Sequence, residues 1–397
     1  MSIKVKIVIM LGALVFCGTG RADLQVIWQK QFGERNISYS PGATILDNTN
    51  NHLMIMGTSY ERPAFFQPKL RLWEIDANGN KLADIIIKDV PVYGSAIMLS
   101  SEIVRDIAVS QSGDIIKIGE FNEIEQSLLK VDARGRPILS KAIVEDSGQR
   151  GHTIMRMVPL ADSTFILIGV HSSSNGLVMK YDSNCNKLWE RTYDFGRGKV
   201  NTFRNGAQAG NQGQFAVVGC STDIDKDWSV SQQNIVVLLC DAGGKVIKQE
   251  IFPGSSLPND VPTICRLNSG NFIVSYDKII DSRNSAFRLK CFDSSLTPLW
   301  EKESISTTQL SDGWLVIKSI PVTGGGFVVA GTVNVSDLQV FEYDPNGNIM
   351  DSVTVKGVVR SPTIQVVCTA DRAFIVMETS NQEEVTKAEI KVIAIRL

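Results

Sequence analysis

The chain has 397 residues, 43% of them hydrophobic and 21% charged, with 40 Lys and Arg against 42 Asp and Glu. That balance suits a folded protein with one large core or several small ones, and it excludes a chain too polar to collapse. At a formal net charge of −2, neither nucleic acid nor an anionic membrane surface is expected as its natural partner.

The first residues carry Lys4 and Lys6, then an apolar run over 7–16, then Gly20, Arg21 and Ala22. This basic, apolar, small-residue order predicts a secretory signal peptide over residues 1–22 and a periplasmic or secreted destination. The run is shorter than the roughly 20 apolar residues a spanning helix needs. No other apolar segment is long enough, so the mature chain, 23–397, is expected to lack a transmembrane segment. Acylation at Cys17 is disfavoured by the bulky Phe16 before it. The remaining cysteines, Cys185, Cys220, Cys240, Cys265, Cys291 and Cys368, contain no C-x-x-C pair, so neither a zinc ribbon nor a dithiol redox motif is present. Export would permit disulfides, but text such as VVGC and VVLLC reads as thiols buried within strands.

The mature chain opens on LQVIWQKQFG, a strand carrying Trp28. A unit of four strands, A to D, then recurs with no stretch of sustained helical period. In the second unit A covers 102–109, B 114–120, C 127–131 and D 137–144. The C-to-D junction repeats as LRLWEIDANGNKL from Leu70, SLLKVDARGRPIL from Ser127, LVMKYDSNCNKLWERTY from Leu177, IVVLLCDAGGKVI from Ile235, FRLKCFDSSLTPLW from Phe287 and LQVFEYDPNGNIM from Leu338. Its aspartates, Asp76, Asp132, Asp182, Asp241, Asp293 and Asp344, fall 50 to 59 residues apart, the mark of an array fold. Such an Asp accepts backbone N–H bonds inside a turn, and the Gly after it supplies positive φ, so these are turn formers and not metal ligands. Asp182-Ser-Asn-Cys and Asp293-Ser-Ser-Leu lack that Gly, and their hairpins are expected to depart from the standard form.

The B strands form a second series, ending at Gly57, Gly119, Gly169, Gly219 and Gly331, with two further members ending at Tyr276 and Glu378. Their near-continuous apolar text predicts strands covered on both faces. Seven B strands stand against six Asp turns because the chain ends in KAEIKVIAIRL, a C strand with no D, and begins with a D strand that has nothing before it. Aligning Trp28 with Trp189 predicts that the N-terminal strand completes the last unit, three strands plus one. The result is an all-β ring of seven four-stranded antiparallel blades with no free sheet edge.

This pattern resembles the β-propeller families, in particular secreted bacterial repeats of the quinoprotein-like type, with D-x-x-G-x-x-L-W turns and W-x-K-x-F-G openings. The likeness is carried by Trp28, Lys30, Phe32 and Gly33, by Asp182, Leu188 and Trp189, and by the pairs Asp76/Gly79, Asp132/Gly135, Asp241/Gly244 and Asp344/Gly347. It implies a single seven-bladed β-propeller domain over 23–397 and no particular chemistry. The vicinal cysteines common beside the cofactor of pyrroloquinoline-quinone dehydrogenases are absent, as is the Gly-His and Trp-Asp signature of WD-type propellers. No cofactor is expected.

Ligands of propellers usually approach the face where A begins and B ends. There His152 precedes the third A strand and His171 follows the third B strand, so antiparallel pairing brings them together, with Arg150 and Glu120 nearby. Their functional reading is a metal or acid/base pair. Two histidines without a nearby carboxylate triad define no metal geometry, however, and solvated rim histidines are the plainer reading. The loop of Asp223, Asp225 and Asp227 alternates like a calcium loop but has Trp228 where such loops want Gly and Asn234 where they want Glu. It reads as a solvated acidic loop, and no metal is expected. Glu120 and Asp277, at equivalent B-strand ends, are the carboxylates a glycan hydrolase could assemble across the ring. Tyr60, Phe65 and Phe66, with Arg62, fall in the first B-to-C connection and Trp228 in the fourth, residue types that dominate protein–protein hot spots. There is no nucleophile elbow and no Gly-rich phosphate loop. The sequence therefore points to an exported, non-enzymatic binding or scaffold module for a protein or envelope component. The alternative is an extracytoplasmic hydrolase or lyase acting on a glycan or small polar substrate in the central funnel.

Overall fold

The computed structural model describes residues 24–397 apart from 35–36, 48–50, 62–68, 88–102, 111–112, 122–124, 144–151, 172–173, 197–198, 211, 225–229, 255–261, 280–283, 310–317, 323, 335–336, 357–363, 370 and 382–383. The predicted signal peptide lies outside the described residues. Among those described there is no helix, and none is therefore long and apolar enough to cross a membrane.

The first strand, β1 (Gln25–Phe32), precedes six blades that are each contiguous in sequence. Blade 1 holds β2 (Ile37–Asp47), β3 (His52–Glu61), β4 (Lys69–Ile75) and β5 (Lys81–Ile86). Blade 2 holds β6 (Ile103–Val109), β7 (Ile115–Phe121), β8 (Glu125–Val131) and β9 (Pro137–Ala142). Blade 3 holds β10 (His152–Pro159), β11 (Phe165–His171), β12 (Gly176–Tyr181) and β13 (Lys187–Tyr193). Blade 4 holds β14 (Lys199–Gln208), β15 (Phe215–Ile224), β16 (Val230–Cys240) and β17 (Val246–Pro253). Blade 5 holds β18 (Thr263–Arg266), β19 (Phe272–Ile279), β20 (Asn284–Phe292) and β21 (Pro298–Gln309). Blade 6 holds β22 (Lys318–Pro321), β23 (Phe327–Asn334), β24 (Asp337–Tyr343) and β25 (Ile349–Val355). Blade 7 has only β26 (Ile364–Cys368), β27 (Arg372–Asn381) and β28 (Glu384–Arg396) from the C-terminus.

The seventh sheet has the order β1-β28-β27-β26, so the N-terminal strand supplies its missing outer member, as the unequal count of turns and B strands predicts. Trp28 lies opposite Ala394 and Phe32 opposite Ile390. The protein is a seven-bladed β-propeller of four-stranded antiparallel blades. The core is divided among seven apolar clusters, each lying between two adjacent blades. Trp28 and Phe32 pack into the cluster that joins blade 7 to blade 1. The B strands are buried on both faces, as their apolar text predicts; Phe165–Ile168 on β11 is an example. The six cysteines among the described residues are free, and five of them are buried. Burial pushes the Cys185 and Cys291 thiols up to about 11, which leaves them protonated and inert at neutral pH.

The repeated Asp turn and Trp prove to be two halves of one contact between blades. Trp28 Nε1 donates to the Ala77 carbonyl (3.1 Å) in the turn of blade 1, and Trp189 Nε1 to the Ala242 carbonyl (3.2 Å) in the turn of blade 4. A Cβ placed at Gly79, Gly244 or Gly347 would stand 3.0, 3.0 or 2.5 Å from the indole of Trp28, Trp189 or Trp300. The turn Gly therefore answers a close approach as well as its positive φ. The two turns without Gly face Leu139 and Lys248 at the Trp-equivalent register positions. There the expected departure does not occur. Cys185 and Leu296 adopt φ of 57° and 59° and close the same N–H-to-Asp carbonyl bonds, 2.9 and 3.0 Å. With no indole overhead, a side chain fits. Leu188, beside Trp189 in the L-W motif, is the extra residue of a bulge in β13 and is 52% exposed.

Each turn aspartate accepts N–H bonds from the residues two and four positions on, as Asp182 does from Asn184 (2.9 Å) and Asn186 (2.8 Å). At Asp132 and Asp293 the N–H groups of Arg136 and Thr297 are the main cause of a lowered carboxyl pKa. At Asp76, Asp182 and Asp344 partial burial raises it, and the hydrogen bonds from Asn80, Asn186 and Asn348 outweigh that rise. A depressed folded pKa contributes stability that is present above the unfolded value near 3.9 and is lost as pH falls through the folded one. The thermal midpoint should therefore hold from pH 7 to about 5 and fall below about 4. Melts of a triple Asp→Asn variant at Asp76, Asp182 and Asp344 should show a shallower acid decline; an unchanged one would remove these carboxylates as its cause.

Candidate functional site

The two faces of the ring are built differently. On one, the C-to-D connections are all five residues long and the A-to-B connections three to six, and all but 48–51 are closed by backbone hydrogen bonds, as at 160–164 and 182–186. The connections that vary in length, including 62–68, 87–102, 225–229, 254–262 and 310–317, all leave from the other face, where A begins and B ends. Rigid strands carrying variable connections at one end are the usual place for recognition.

On that face β10 and β11 place His152 directly opposite His171, with ring centroids 4.7 Å apart and planes tilted by 42°. The pairing predicted from sequence is thus present. A third group joins it: Glu190 on β13 lies opposite Met179 of β12, which lies opposite Leu167 of β11, and so shares a sheet face with both histidines. Glu190 Oε1 stands 3.6 Å from His152 Nε2, and its other oxygen accepts from Lys187 Nζ at 3.0 Å. The His152 side chain is 7% exposed, and its Nδ1 has no hydrogen-bond partner among the described residues. Sequence reasoning missed Glu190 because its approach depends on which face the β13 bulge assigns to each residue, and no spacing rule states that.

Blade 4 adds buried polar atoms at the same end of its strands. Asn201 and Ser221, which lie opposite each other, are buried, and so is Gln233, opposite Thr222. Asn201 Oδ1, Ser221 Oγ and Gln233 Oε1 have no partner among the described residues. Unsatisfied acceptors of this kind are matched by water or a bound polar group.

The other predicted residues divide clearly. Glu120 and Asp277 sit at the ends of B strands β7 and β19, but their side chains are outside the described residues, as are Arg62, Phe65, Phe66, Arg150, Asp225, Asp227 and Trp228. Tyr60 belongs to β3, opposite Ser38, and not to the connection after it. Asp223 is a strand residue paired across the sheet with Lys199 at 3.3 Å. His52, on the opposite face, bonds Glu74 through Nδ1 at 2.6 Å.

No protein-family model matches the chain, and no curated protein matches it either. Solved structures do. A protein of unknown function from Dyadobacter fermentans has a TM-score of 0.51 at 8% identity, over 94% of this chain and 99% of its own. The BP39L lectin from Burkholderia pseudomallei has a TM-score of 0.54 at 12% identity, over 90% and 96%. The polysaccharide lyase Uly1 has a TM-score of 0.54 at 9% identity, over 90% of each chain. At such identities the likeness is one of fold, and it agrees with the seven-bladed ring.

Proposed function

We propose that this protein is an exported, non-catalytic propeller that presents the face of variable connections to a protein or envelope component. The observation that carries the reading is the asymmetry of the ring, in which the connections on one face are three to six residues long and those on the other run from two to sixteen. The aromatic residues Phe65, Phe66 and Trp228 fall in those connections, and the order of residues 1–22 supports export. The likeness to quinoprotein-type repeats belongs to this proposal too; it rests on turn and packing residues and adds no chemistry.

The test is retention of detergent-solubilised envelope proteins and of purified cell-wall glycan on immobilised protein. Binding of a defined component should fall at least tenfold with Phe66→Ala or Trp228→Ala and stay unchanged with Arg134→Ala on the turn face. No retained component, or equal retention by all variants, overturns the reading. A second reading, action on a glycan, is favoured by one observation, the unsatisfied acceptors of Asn201, Ser221 and Gln233 beside the same face. It predicts turnover: new reducing ends or unsaturated sugar products from a glycan panel, which a binding module does not release.

A further inference from the structure

We propose that His152, His171 and Glu190 form a three-ligand site for a divalent cation of the zinc class, independent of which partner the face receives. The ligand atoms these residues offer all lie within 4.8 Å of one another. Strand pairing, not a loop, sets the spacing of the two imidazoles, because His152 and His171 are register partners on β10 and β11.

The donor set selects the metal. Two imidazoles and one carboxylate suit Zn²⁺ and the neighbouring first-row ions, whereas Ca²⁺ and Mg²⁺ take oxygen ligands. The distances agree. The 3.6 Å between His152 Nε2 and Glu190 Oε1 is too long for a hydrogen bond. It is close to the edge of a tetrahedron with bonds of ~2.0–2.1 Å, which is about 3.4 Å. Glu190 is held for the task by its second oxygen, which accepts from Lys187 at 3.0 Å. Hydrogen-bonded carboxylates of this kind are usual around metals. The Lys187 ammonium is partly exposed and screened by solvent, so it does not forbid a cation.

The state of His152 is the independent sign. Its side chain is 7% exposed, its Nδ1 has no hydrogen-bond partner among the described residues, and its Nε2 stands 3.6 Å from Glu190 Oε1, beyond a hydrogen bond. His52 shows the contrast, since Glu74 saturates its Nδ1 at 2.6 Å. Three ligands leave the fourth position of a tetrahedron to water or to a donor brought by a partner.

The experiment uses tag-free protein stripped with a chelator and titrated calorimetrically with Zn²⁺, Ca²⁺ or Mg²⁺, with visible absorption after Co²⁺ addition as a geometric readout. One equivalent of Zn²⁺ should bind, Co²⁺ should give the intense visible bands of a tetrahedral site, and Ca²⁺ and Mg²⁺ should give no heat. His171→Ala and Glu190→Gln should weaken Zn²⁺ at least tenfold, while His52→Ala binds as wild type. His152→Ala is set aside as the decisive variant because a buried ring can be needed for folding; the other two are checked by thermal melts. Absence of Zn²⁺ binding, undiminished binding by folded His171→Ala and Glu190→Gln, or loss of binding in His52→Ala overturns the site.

Discussion

Deleting residues 24–34 is expected to abolish cooperative folding, because β1 is the outer strand of blade 7 and the only covalent origin of its fourth member. Its loss strips Val26, Trp28 and Phe32 from the two clusters that flank blade 7. At about 1.5–3 kcal/mol for each large side chain fully buried, discounted for partial burial, that is roughly 4–6 kcal/mol. The stability of a whole domain is only about 5–15 kcal/mol. The deletion also exposes β28, whose text is apolar and β-branched, as an unpaired edge that invites aggregation. A permutant that moves residues 24–34 behind Leu397 through a short Asp-Gly turn restores the hairpin that every other blade possesses, since Gln25 already lies opposite Arg396. Circular dichroism melts and size-exclusion chromatography should find the permutant folded and monodisperse and the deletion neither. A deletion that melts like the intact chain would show that three strands suffice for blade 7, and the closing contact would then be dispensable.

The ring is legible in the chain because its repeat is written in residues with single purposes. An Asp caps a turn, a Gly admits a neighbour, and a Trp crosses to the next blade, so the intervals between them report the architecture directly. The end strands are legible for the same reason, since Trp28 donates to Ala77 as Trp189 donates to Ala242. What the sequence does not carry is parity. Bulges in β10 and β13 each slip one residue, and each slip reverses which side chains face inward. Glu190 is thereby brought beside the histidines and Leu188 is turned to solvent, and neither outcome follows from counting residues. The fate of the two Gly-less turns was equally hidden, because the residue that decides it, Leu139 or Lys248, lies in a different blade from the turn it permits.

The B-strand glycines give the sharpest steric test of this account, and Gly169→Ala is expected to cost at least about 3 kcal/mol. A Cβ at Gly169 would stand 2.0 Å from the Thr153 carbonyl oxygen and 2.9 Å from Ile154 Cα, and one at Gly219 2.1 Å from the Thr202 carbonyl oxygen. In both cases the obstacle is backbone, which no rotamer change can clear. It is there because the facing A strand is bulged, between Ile154 and Arg156 in β10 and between Phe203 and Asn205 in β14, and the bulge leans that strand over the glycine. Gly57 and Gly119 face bulges of the same kind. Denaturant midpoints of Gly169→Ala and Gly219→Ala should therefore fall together, while Gly243→Ala, with only the Asp241 carboxylate at 3.4 Å, shifts by less than about 0.5 kcal/mol. Relief of the clash can come only by moving the start of β10, which carries His152 away from His171, so whatever folded Gly169→Ala protein survives should also bind Zn²⁺ more weakly than Gly219→Ala. An undiminished midpoint would mean that the bulged strand yields at little cost, and the glycine series would then mark a conformational preference instead of a collision.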